Sequence, residues 1–173
     1  NEKKKQDQNE KGDRGRLRHR CGKFRCMCGG ERTGNIEAKL VTHNNPIGQV
    51  DMYMVTHHGL PTSNNPALVR AIDPRVAVMC NGPTKGGHPD VIQTLRQVKS
   101  LQAFYQLHRN VTLDADEQTP AAYIANTEPT ADCKGVYIKA STAADRRSTT
   151  LHITEVAQPR PYQPLSSRPG TAR

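Results

Sequence analysis

Val50-Asp51-Met52-Tyr53-Met54-Val55-Thr56-His57-His58-Gly59 is a short apolar run that delivers two adjacent histidines into a glycine turn. Its β-branched and aromatic content, with the stop at Gly59 and Pro61, predicts a buried strand ending in a loop. The histidines then stand at a strand's C-terminal edge. Ligands bind at that edge in open α/β sheets, and imidazole is a common protein ligand for zinc.

Downstream, Asn65-Pro66 reads as an N-cap with proline at the first helical position, opening a helix through Ile72 that Asp73-Pro74 ends. Residues 75–80 are uniformly apolar around Val76, Ala77, Val78 and Met79, which predicts another buried strand. A glycine-rich loop, residues 81–88, leads to Pro89 and Asp90 and a helix whose Val91, Leu95 and Val98 form one stripe. Leu101, Ala103, Tyr105 and Leu107 alternate as a further strand. Upstream, residues 23–28 alternate into Gly29-Gly30-Glu31, and residues 35–41 predict a short helix. Strands alternating with helices predict an α/β layer with βαβ crossovers. Residues 112–135 read as loop. A terminal hairpin follows at 136–140 and 149–156 around a polar turn at 143–147, with His152 on its surface.

The chain has 173 residues, enough for one domain. It starts at Asn1, the expectation being a processed or truncated product. Hydrophobic residues make up 34% and aromatics 4%, with no Trp, so the core is aliphatic. No apolar run reaches membrane-span length. The net charge of +9 sits in the tails: residues 1–25 carry 10 basic and 4 acidic side chains, residues 26–157 carry 12 and 12, and residues 158–173 carry 3 and 0. Residues 1–21 are therefore expected to be a disordered basic arm, 22–157 the domain, and 158–173 a disordered proline-rich tail. Such an arm makes nucleic acid a candidate partner through non-specific phosphate contacts. The five cysteines, Cys21, Cys26, Cys28, Cys80 and Cys133, cannot all pair within one chain, and they are expected as reduced thiols in or near the core.

Three loops carry the candidate chemistry: Gly30-Glu31, His57-His58-Gly59 and Gly87-His88-Pro89. With Val55-Thr56-His57-His58-Gly59-Leu60-Pro61-Thr62-Ser63 and the following helix, strand and Asn-Gly to Gly-His-Pro loop, the order resembles the second half of metallo-β-lactamase-fold hydrolases. The branch it is most similar to is the one related to the C-terminal domain of DNA-uptake competence proteins. The likeness spans about residues 22–156. It implies part of a four-layer αββα sandwich holding one or two metal ions, usually zinc, at one edge of its sheets.

The resemblance further implies Glu31 at the position of the family's bridging aspartate and the pair His57 and His58 as the late metal ligand. Ser63, Lys85 and His88 become candidate contacts to an anionic substrate. Metal-activated water would attack that substrate, a phosphodiester on the competence-like likeness. The family's His-x-His-x-Asp-His motif is absent from these 173 residues. Zinc sites generally need three or more protein ligands, so the chain alone is expected to hold zinc poorly and to be the C-terminal half of the domain. The rival expectation is an inactive scaffold or a module that binds anionic polymers. A half-sandwich is also expected to leave one sheet face bare, making the isolated chain marginal, aggregating or dimeric.

Overall fold

The computed structural model describes residues 18–21, 24–128, 135–142, 149–153 and 156–162. Arg18–Cys21 (β1) runs antiparallel to Phe24–Cys28 (β2), and Met52–Met54 (β3), Val76–Met79 (β4), Ala103–His108 (β5) and Ile124–Asn126 (β6) then add in parallel. They form one six-stranded sheet whose order is the chain order. The helices Gly34–Lys39 (α1), Pro66–Ile72 (α2) and Pro89–Arg96 (α3) occupy the crossovers. Ile138–Thr142 (β7), Thr149–Ile153 (β8) and Val156–Tyr162 (β9) form a second, antiparallel sheet. The α/β class read from the sequence is the class observed.

Alternation along the strands makes two cores. Tyr53, Val55, Ala77, Met79 and Phe104 pack with Leu68, Val69 and Ile72 of α2 and Val91, Ile92 and Leu95 of α3. Crossovers of one hand between strands in chain order put successive helices on one face, and the shared core is the result. Each fully buried aliphatic side chain contributes about 1.5–3 kcal/mol here. The opposite face gathers Val76, Val78, Ala103, Tyr105 and Ala125, against which Val136, Ile138 and Tyr162 pack. The Tyr105 and Tyr162 hydroxyls meet at 2.6 Å.

That face was expected to be bare. It is covered instead by residues flanking and forming the chain's own second sheet. Among the described residues the exposed large hydrophobics are Val111 and Tyr137.

Helix starts follow local chemistry. The Asn65 side chain accepts from the Ala67 N–H at 2.9 Å, with Pro66 as the first helical residue. Asp73 ends that helix in a left-handed conformation, φ 41°. Three strands lie where none was expected. The last four residues of the predicted basic arm form β1, β6 falls within the predicted loop, and β9 begins in the hairpin and runs through Pro159 and Pro161 of the predicted tail. β1 and β9 are edge strands, paired on one side only, where charge and proline are tolerated. The predicted turn at 143–147 and the arm and tail beyond residues 18 and 162 lie outside the described residues. His152 pairs with Lys139 across β7 and β8. No helix among the described residues is long and apolar enough to cross a membrane.

Candidate functional site

Strands β2, β3 and β4 are parallel neighbours, so their C-terminal ends open at one edge of the sheet. There a pocket of about 170 Å³ is lined by Cys28, Gly30, Glu31, Met54, Val55, His57, His58 and Cys80. Glu31, His57 and His58 are thereby brought together, as the sequence suggested.

The turn Thr56–Gly59 has an unusual backbone. His57 (φ 52°, ψ 47°) and His58 (φ 57°, ψ 14°) are both left-handed, and Gly59 follows at φ 77°. A left-handed non-glycine residue costs roughly 1–2 kcal/mol, so the surroundings must hold the pair there. The His57 N–H donates to Gly30 O at 2.9 Å. From the other side, the Gly87 N–H donates to His58 O and the His88 N–H to Gly59 O, each at 2.9 Å.

Beneath the turn lies a buried polar network. Asn64 Oδ1 accepts from the Tyr53 hydroxyl at 2.8 Å and the Thr56 N–H at 3.0 Å, while its Nδ2 donates to Thr56 O at 2.9 Å. The Tyr53 and Thr56 hydroxyls meet at 2.8 Å. Burial, first, and the charge of Glu37 raise the Tyr53 phenol.

The two rings are oriented by acceptors. His58 Nδ1 lies 2.8 Å from Cys80 O. A carbonyl can only accept, so Nδ1 carries the proton and Nε2 presents its lone pair in neutral imidazole. That Nε2 lies 3.9 Å from Glu31 Oε1. His57 Nδ1 is 3.2 Å from Ser63 Oγ, and the Ser63 hydroxyl donates to Arg32 O at 2.7 Å. With its proton committed there, Ser63 accepts from His57 Nδ1–H, which selects the same tautomer. Both rings therefore use Nδ1 as anchor.

The other predicted residues do not line this pocket. Ser63 is buried and orients His57. Lys85 is exposed in the loop before α3. His88 is the N-cap of α3, its Nδ1 accepting from the Asp90 N–H at 3.3 Å.

Sequence reasoning missed three groups that matter here. Cys28, Met54 and Cys80 line the pocket. The signal was present in the alternation, because β2 turns Cys26 and Cys28 to one face. Cys28 Sγ lies 3.5 Å from Met54 Sδ. Burial, then the neighbouring Cys28, raises the Cys80 thiol, whereas burial pushes the Cys26 thiol up to about 12.

Glu37 was missed as well. It is fully buried in α1, accepts from the Asn65 N–H at 2.7 Å through Oε2, and leaves Oε1 without a hydrogen-bond partner. Burial raises its carboxyl above the ordinary range, and the Asn65 amide, Thr56, Asn64 and Arg32 offset that only in part. Its folded value being raised, its contribution to stability is complete below the ordinary glutamate value of about 4.3 and is lost as pH rises through the folded value. Glu37→Gln should therefore flatten the decline in unfolding free energy as pH rises above the ordinary glutamate value of about 4.3, measured by urea titration. An undiminished slope in the variant would assign the decline elsewhere.

The donor set suits a metal ion only in part. Glu31 Oε1 and His58 Nε2 are too far apart for a hydrogen bond and close to the spacing of two donors on one ion. Among the described residues, however, no group of three or more His, Cys, Asp or Glu converges to hold one. Comparison with known proteins returns no matching family model, curated protein or solved structure.

Proposed function

We propose that this chain is the C-terminal half of a metal-dependent hydrolase of the metallo-β-lactamase fold, acting on an anionic ester of the phosphodiester class. The observation that carries the reading is the anchoring of His58 through Nδ1 to Cys80 O, which turns Nε2 toward Glu31 at the C-terminal edge of a parallel sheet. Metal-ligating histidines characteristically donate their other ring N–H to a backbone carbonyl in this way. The covered sheet face and the helices on the other agree with three layers of a four-layer sandwich, α, β and β.

Glu31 and His58 would hold zinc, with His57 beside them and further ligands supplied by the half that carries the first metal motif. Bound zinc would supply hydroxide near neutral pH. The chain's own residues set the geometry. Cys80 O and Ser63 fix the histidine tautomers, and the 81–88 loop, tied to the turn through Gly87 and His88, carries Lys85 and His88 as candidate contacts to the substrate's anionic oxygens.

Zinc affinity, read by competition with a chromophoric chelator, is expected to be weak for the chain alone. It should fall about tenfold or more in Glu31→Ala and in His58→Ala. Equal affinity in wild type and both variants would remove the metal assignment. Supplied with its first half, the protein should hydrolyse bis(p-nitrophenyl) phosphate with zinc, and His58→Ala should abolish that turnover.

A further inference from the structure

The floor of the pocket is made of sulfur. β2, β3 and β4 are in register as Cys28, Met54 and Val78, so Cys28 and Met54 share one face of the sheet, and Cys80 follows Val78 by two residues. Cys28 Sγ and Met54 Sδ are 3.5 Å apart, and both residues line the pocket together with Cys80 and the two histidines. Cys28 ends β2 and Cys80 directly follows β4, with β3 between them, and neighbouring strands are about 4.8 Å apart. Two such spacings, about 9.6 Å, exceed the roughly 7 Å Cα separation a disulfide tolerates. An ion seated over Met54 would lie between the two thiols.

We propose that Cys28, Met54 and Cys80 form a site for a soft monovalent metal ion, copper(I) in chemical class. Thiolate and thioether sulfur select copper(I) over harder ions, and copper(I) is content with two or three donors. Zinc would want a fuller set of harder ligands, which the described residues do not gather. A methionine beside a cysteine is a poor zinc pair and a good copper(I) pair. Binding displaces the two thiol protons to solvent, and no electron is transferred. The apolar walls given by Val55 and Met54 shield the thiolates from oxidants in water.

This site does not rest on the hydrolase reading, because its ligands are other residues. The test uses the full chain with Cys21→Ser and Cys133→Ser as background, which leaves Cys26, Cys28 and Cys80 as its thiols. Copper(I) is titrated anaerobically against bicinchoninate. One ion per chain is expected, with affinity reduced about a hundredfold in Cys28→Ser and about tenfold in Met54→Leu and Cys80→Ser. Met54→Leu conserves volume, so its circular dichroism and thermal midpoint should match those of the background protein. X-ray absorption of the copper complex should give a sulfur-only shell. An unchanged affinity in Cys28→Ser and Met54→Leu, or a nitrogen-dominated shell, would overturn the site. Loss of zinc in His58→Ala with copper(I) retained would separate the two assignments.

Discussion

Gly86→Ala is expected to lower stability by about 3–5 kcal/mol and to dismantle the histidine turn. Gly86 sits at φ +80°, a conformation that charges any side chain roughly 1–2 kcal/mol. More serious is what the new methyl would meet. It would fall on the His58 carbonyl oxygen and 2.9 Å from His58 Cβ. That carbonyl cannot step aside as a flexible side chain could. It accepts from Gly87 N–H, its own residue is left-handed, and its ring is tied to Cys80 O. Relief requires the loop to lift, which breaks the paired hydrogen bonds from Gly87 and His88. Gly48→Ala is the matched control. Gly48 has φ +68° and nothing within 4 Å of its would-be Cβ, so only the backbone term of about 1 kcal/mol remains. Urea unfolding of the two variants measures the difference. Equal losses would mean that the 81–88 loop does not brace His58. Total stabilities of 5–15 kcal/mol make the larger loss a threat to folding at 37 °C.

The parts legible in the sequence are those set by neighbours along the chain. Asn65-Pro66 announced α2 because capping needs only the residues at the cap, and Val91 and Leu95 announced α3 because one helical face reports its own burial, while Val98, the third residue of the expected stripe, falls just past the helix end at Arg96. Glu31, His57 and His58 were grouped on the family resemblance, and the parallel strands β2 and β3 deliver them to one edge of the sheet. Contacts between distant residues left no such trace. Glu37 meets Asn65 across 28 positions, and Ser63 meets Arg32 across 31, so neither polar residue could be told from a solvated one. Ser63 and His88 were read as substrate contacts, and that Ser63 orients a ring and His88 caps a helix was not legible. The left-handed pair His57 and His58 was also hidden. Nothing in two histidines asks for positive φ, and the demand comes from the packing of two other loops against them. Edge strands β1 and β9 were missed because pairing on a single side imposes no apolar pattern.

Asn64 is the residue on which those long-range terms converge, and Asn64→Ala is expected to cost about 3–5 kcal/mol. Its amide satisfies the Tyr53 hydroxyl, the Thr56 N–H and Thr56 O, all buried, and Nδ2 also reaches Leu60 O at 3.4 Å. An alanine leaves these groups without their partner at about 1–3 kcal/mol for each one that finds no substitute. The Tyr53 hydroxyl keeps a second contact, to the Thr56 hydroxyl, and the Thr56 N–H keeps a longer one, 3.3 Å to the Tyr53 oxygen, whereas Thr56 O loses its partner. Asn64 is also left-handed, φ 62°, so an alanine pays for the conformation as well. Asn64→Gly separates the two causes. Glycine accepts that φ freely but supplies no amide, so it should recover only about 1 kcal/mol of the loss. Near-complete recovery would make backbone strain the whole effect and leave the network without a stabilising role. Because Thr56 is the first residue of the histidine turn, the same substitution should loosen His57 and His58. Zinc affinity in Asn64→Gly should accordingly fall alongside stability, while Gly48→Ala, which touches neither histidine, should leave it unchanged. A destabilised Asn64→Gly that still bound zinc like wild type would show that the turn keeps its shape without the network, and the strain at the two histidines would then have to be borne by the Gly30, Gly87 and His88 hydrogen bonds alone.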